Sequence, residues 1–178
     1  MATAATLQFP TEHDFPFEGD LDDLRALSEA ELAELYADAH VPEIADLRGD
    51  MRGRMLEVVP IPELARGPLR AWASSSFFPW RGKSFRPLAD TVGRGINRVV
   101  SDRLQLYPFL TTVKPSRAGD FDAVELDYDL PENPFFIRDI KDEIRTVRDG
   151  LYLGQAYLCV GDAEHLAVYF ALQRAPTR

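Results

Sequence analysis

The stretch DEIRTVRDGLYLGQAYLCVGDAEHLAVYFALQR, residues 142–174, decides the fold. Two runs of alternating apolar residues are joined by Asp149-Gly150, and a third follows Gly161-Asp162. Asp-Gly between such runs is a strong hairpin signal, because a type I′ turn needs positive φ at both central positions. The spacing predicts strands over 143–148, 151–160 and 165–173, paired as an antiparallel meander. In the middle run Leu151, Leu153, Gln155, Tyr157 and Cys159 share one face. Tyr152, Gly154, Ala156, Leu158 and Val160 share the other. Both faces are mostly apolar, so both must be covered, one by a barrel interior and the other by helices. Gly154 in mid-strand marks a bulge or a close approach, by a packing helix ahead of a ligand.

Working outward, the same alternation predicts strands over 80–87, 94–102, 104–113 and 122–129, and over 51–59 before them. Eight short antiparallel strands favour a mainly β fold, a lipocalin-like barrel whose closure removes exposed sheet edges. A half-open α+β sheet is the structural alternative. Residues 1–20 carry no period and suggest an extended arm, and 21–50 a helical segment. Leu24, Leu27, Leu32, Leu35 and Tyr36 there fall mostly on one stripe. Ser28 with Glu31 reads as a capping box, and Pro42 and Gly49 bracket a short second helix. Pro62 and Pro68 suggest a helical insert near 61–75 within the barrel region 51–174. DLPENPFFIRDIKD, with its two prolines, reads as a loop holding one helical turn. The whole chain, 1–178, is expected to be one domain.

Composition narrows the partners. A net charge of −9 argues against nucleic acid and anionic membrane, both of which reward clustered Lys and Arg. No run of about 18 apolar residues exists, so no membrane span is expected. The N-terminus lacks a basic region leading into an apolar one, and one cysteine, Cys159, allows no internal disulfide. A cytoplasmic setting follows as the expectation.

Candidate site residues fall in three groups. FFPWRGKSFRP sets Trp80 beside Lys83 and Arg86. An inward Lys83 or Arg86 would anchor a carboxylate or phosphate head group, while a cation stacked on Trp80 would be a structural plug. The second group is acidic. Glu125, Asp127 and Asp129 share a strand face and could bind a divalent cation or supply an acid/base pair. A solvated outer face is the plainer reading, and it extends to Asp139, Asp142 and Glu143. Glu143 and Arg145 also share a face, as an internal pair orienting a ligand or an ordinary surface pair. The third group is aromatic: Tyr107, Phe109, Tyr128, Tyr152, Tyr157 and Tyr169 are candidates to line an interior, though alternation must turn some outward. Gly93-x-Gly95 lacks a third glycine and a following helix, so a dinucleotide site fails. His13, His40 and His165 have no metal-ligand spacing, and Ser74–Ser76 sit in no nucleophile elbow. No metal or cofactor is expected. Cys159 reads as a core residue.

FPWRGKSF, GRGINRV, ELDYDLPENP, IRDIKDEIRTVRDGLYLG and VYFAL together resemble uncharacterised bacterial lipocalin-like (calycin-type) barrels over residues 77–174. The run 142–154 is also similar to the plastid-lipid-associated (fibrillin) pattern. The sequence departs from lipocalins in lacking an ordered Gly-x-Trp. The resemblance implies a barrel that holds a small hydrophobic molecule with a polar or anionic end, and it transfers no catalytic residue. Ligand contacts would come from Trp80, Lys83, Arg86, Tyr107, Phe109, Tyr128, Arg145, Tyr157 and Tyr169. The alternative is an enzyme, a cyclase, isomerase or hydrolase, using Asp127, Glu143 or Tyr152 in the same cavity.

Overall fold

A computed structural model describes residues 15–59, 80–99, 101 and 103–175. Most of the expected arm and the expected insert near 61–75 lie outside the described residues. Eight strands follow in order: β1 (Gly49–Val58), β2 (Trp80–Ala89), β3 (Val92–Val99), β4 (Gln105–Pro115), β5 (Asp122–Asp127), β6 (Ile140–Arg148), β7 (Leu151–Val160) and β8 (Ala163–Arg174). Each pairs antiparallel with the next, and β8 returns to β1, closing the barrel. The half-open alternative is therefore excluded. Among the described residues, no helix is long and apolar enough to cross a membrane.

The Asp149-Gly150 loop joins partners Arg148 and Leu151, as its sequence demands. Only Gly150 takes positive φ, 69°, so the turn is not type I′; a register shift between Thr146 and Arg148 supplies the remaining twist. Gly161, φ 61°, leads the next loop, the position that a II′ turn reserves for glycine.

Side chains pack together inside the barrel. Met51, Phe85, Phe109, Leu126, Tyr128, Ile144, Phe170 and Leu172 form one buried cluster. The rings of Phe109 and Phe170 lie only 2.3 Å from where Cβ atoms on Gly95 and Gly154 would stand. The close approach at Gly154 is thus an interior aromatic ring, neither a helix nor a ligand.

The outer wall of β6–β8 is covered from outside. Helix α1 (Glu29–Asp38) opens on the expected capping box and buries Leu32, Leu35 and Tyr36. With Leu21 and Leu24 these pack on Val147, Leu151, Leu153, Tyr169 and Ala171. The second helix expected after Pro42 is only a 3-10 turn, Ile44–Asp46, and Gly49 (φ 75°) opens β1 instead of closing a helix. Ile44 and Leu47 join the interior cluster and plug the barrel end where β1 starts. The single turn expected after the two prolines is α2 (Phe135–Arg138).

Candidate functional site

Residues from all three groups converge at one point. Lys83, on the inner face of β2, is 3% exposed. Its Nζ donates to Asn97 Oδ1 (2.8 Å), Tyr128 Oη (2.5 Å) and Asp142 Oδ2 (2.9 Å). The rings of Trp80, Phe109, Tyr128 and Phe170 surround it at 5.2–5.4 Å from their centroids, the range of cation–π attraction. Burial lowers the Lys83 pKa, and the charge and hydrogen bond of Asp142 hold part of it up. Burial likewise raises Tyr128 well above the usual phenol range, so its hydroxyl keeps its proton. The polar contacts continue outward: Trp80 Nε1 donates to Asn97 Oδ1 at 3.2 Å, and Asn97 Nδ2 donates to Tyr128 Oη at 3.1 Å and to the Tyr107 carbonyl at 3.2 Å. Tyr128 in turn donates to Asp142 Oδ2 at 3.0 Å.

The remaining candidates are dispersed. Arg145 and Glu143 lie on the outer wall beneath α1, not in the interior, because Asp142 and Ile144 hold the inward positions of β6. The Arg145 guanidinium donates to the Asp122 and Ala39 carbonyls and stacks on Phe121, 4.3 Å from the ring centroid. The role of inward ligand anchor is therefore corrected. Glu143, 1% exposed, accepts from Ser116 Oγ at 2.7 Å, Arg117 Nη1 at 2.7 Å, the Arg117 backbone N–H and Tyr36 Oη. Arg117 also meets Glu125 at 2.8 Å and Glu164 at 3.0 Å. Burial opposes its charge, but its bonds to Glu143, Glu125 and Glu164 outweigh burial and raise its pKa. Tyr157 and Tyr169 are also on this outer wall: the Tyr157 hydroxyl donates to Gln155 at 2.7 Å, and Tyr169 packs among the residues under α1. Tyr152 is interior, but at the plugged end, where Arg174 donates to its hydroxyl at 2.7 Å. Asp127 is paired with Lys141 and accepts from the Asp129 backbone N–H. Asp129 pairs with Arg138 at 2.6 Å. Among the described residues no cluster of three or more His, Cys, Asp or Glu is placed to hold a metal.

Asp142 was legible only as a surface acid because its strand starts at Ile140, three residues before the expected start. The signal was present: Ile140, Asp142 and Ile144 share a face, which sets Asp142 between two apolar neighbours.

Arg86 faces outward. It lines a groove of about 760 Å³ between the outer wall of β2–β4 and residues 132–134. Arg94 lines it too and is the cross-strand partner of Arg86. Ile96, Leu106, Tyr107 and Pro108 provide apolar wall. Tyr107 holds φ 59°, a strained setting for a residue with a side chain, at the bulge where β3 and β4 lose register. Arg94 pairs with Glu132 across the groove. Arg94 escaped the sequence reading, although a hairpin turning at Asp90-Thr91 sets it opposite Arg86.

No protein-family model matches the chain, and no curated protein matches it. Among solved structures it is similar to one titled "Crystal structure of protein from Thermomonospora curvata". The two share 18% identity over 84% of this chain and 88% of that one, with a TM-score of 0.44. A likeness at that level carries no functional inference.

Proposed function

We propose that the protein binds a small, largely apolar molecule with an anionic end, in the groove on the outer wall of β2–β4 rather than inside the barrel. The observation that carries this reading is Arg86 set directly across from Arg94 at the groove. Like charges opposite one another on a sheet face are destabilising unless an anion lies between them, and Glu132 offsets only one of the two. The groove's volume falls in the range of about 300–1,000 Å³ common to ligand sites. Two facts argue against an interior head-group anchor. Asp142 already neutralises Lys83, and all three ammonium protons are engaged. The reading keeps the small-hydrophobe role implied by the lipocalin-like motifs and moves its place. It also keeps the cytoplasmic setting, where Cys159 stays reduced. The enzyme alternative has no such support, since Asp127, Glu143 and Tyr152 stand in three separate places.

The test is a paired titration of a medium-chain fatty acid and its methyl ester against the parent and Arg86→Met. Two charge-assisted hydrogen bonds contribute about 1.5–3 kcal/mol, so the variant should lose about 10- to 150-fold in acid affinity. Ester affinity should barely change. Equal losses for acid and ester, or no binding to the parent, would overturn the reading.

A further inference from the structure

We propose that Glu132 makes the groove on β2–β4 select a singly charged carboxylate over a doubly charged phosphate monoester. The inference rests on the groove reading above and adds which anion the groove takes.

The charge count is the first observation. Among the described residues that line the groove, the charged ones are Arg86, Arg94 and Glu132, so its wall carries one net positive charge. Arg94 stands between Arg86 on β2 and Leu110 on β4, and Leu110 brings no second counter-ion. A carboxylate seated between the two arginines completes a set of two cations and two anions. A phosphate dianion overfills that set by one charge. Its desolvation cost grows with the square of its charge, while its attraction to the wall grows only in proportion.

The anchoring of Glu132 is the second observation, because its charge enters the sum only if it stays. Its neighbour Asn133 is 6% exposed. The Asn133 backbone N–H donates to the Leu130 carbonyl at 2.9 Å, and its Nδ2 donates to the Pro108 and Tyr128 carbonyls at 2.8 Å each. Pro131 and Pro134 fix φ on either side. Pro108 belongs to β4 and to the groove wall, so the turn is tied to the surface that a ligand meets. Glu132 therefore remains beside Arg94 when an anion arrives.

Access is the third. The side chains of Arg94 and Glu132 keep 45% and 46% of their surface in solvent, and Arg86 is exposed. An anion reaches all three from the open side of the groove without moving the fold. The same exposure screens them, so each contributes a selectivity of only a few fold.

The experiment titrates three probes with ten-carbon chains against the parent and Glu132→Gln at pH 8. Methyl decanoate is neutral, decanoate carries one negative charge, and decyl phosphate carries two. The parent should bind decanoate more tightly than decyl phosphate. The variant should leave the ester unchanged, tighten decanoate about threefold and tighten decyl phosphate about tenfold, because the gain scales with probe charge. Equal gains for all three probes would mean a reshaped groove and overturn the proposal. A parent that prefers the phosphate would overturn it too. If the parent holds decanoate over its ester through Arg86 and the variant gains for neither anion, this proposal falls and the groove reading stands. No binding of decanoate to the parent would end both.

Discussion

Two buried charge centres lie on opposite sides of the same wall, and they are built differently. Inside the barrel one lysine meets one carboxylate among four aromatic rings. On the outer wall one arginine meets three carboxylates, Glu125, Glu143 and Glu164, at a site whose guanidinium side chain keeps 16% of its surface in solvent. The interior has little water to screen charge, so only a neutral pair is tolerated there. The outer centre borrows solvent, and its planar fork ties several segments together at once. Through Glu143 it joins α1 by Tyr36 and the β4–β5 loop by Ser116 and Arg117. The outer centre is a latch that holds the helix and the loop to the wall. The inner centre joins strands that their own ladders already hold.

That contrast breaks most easily where the covering is removed. A chain starting at Val41 loses Leu21, Leu24, Leu32, Leu35 and Tyr36, each worth about 1.5–3 kcal/mol of burial. It should fail to fold or lose most of its stability in urea. If it melts like the full chain, the outer centre is not a latch.

The next largest effect lies inside. Asp142→Asn leaves the Lys83 ammonium buried without its anion, which should cost about 3–5 kcal/mol at pH 7. Lys83→Met with Asp142→Leu should recover most of that, because the charge goes with its partner. The pH dependence has a definite sign. Burial already lowers the Lys83 pKa below its ordinary 10.5, and without Asp142 nothing holds it up. Between the folded pKa and about 10.5 the unfolded chain therefore binds more protons, so stability rises with pH. The variant's deficit against the parent should shrink between pH 7 and pH 10. A constant deficit would mean that Lys83 is not the group responsible.

Glu143→Gln should cost less, about 1–3 kcal/mol. Arg117 keeps Glu125 and Glu164, and the amide oxygen can still accept from Ser116. A loss larger than that of Asp142→Asn, measured in the same urea titration, would reverse the ranking of the two centres.

The strand count, the order of the hairpins and the α1 cap were all readable, because each depends on neighbours in sequence. Gly150 and Gly161 take the positive φ that their turns need, and Ser28 finds Glu31 three residues on. Trp80, Lys83, Phe109 and Tyr128 were each read as ligand contacts, from separate strands, and the closed barrel sets the three rings around the Lys83 ammonium. The errors fell on direction. Arg145 stayed open between an internal and a surface pair, and Asp142 read as a solvated acid, because the expected strand began at 143 and its inward face was not fixed. In a strand, facing alternates residue by residue, so the side chains follow whichever face the sheet buries.

The sequence by itself determined the antiparallel β meander, the glycine positions of its turns and an apolar stripe that had to be covered. Which residues meet was decided only by closure. Register brings Lys83 on β2, Asn97 on β3 and Asp142 on β6 to one point, from positions up to 59 residues apart. It sets Arg86 opposite Arg94 across a groove by the same means. Turn chemistry is local and is written in adjacent residues. A charge centre is assembled from distant strands, and its partners exist only once the barrel has closed.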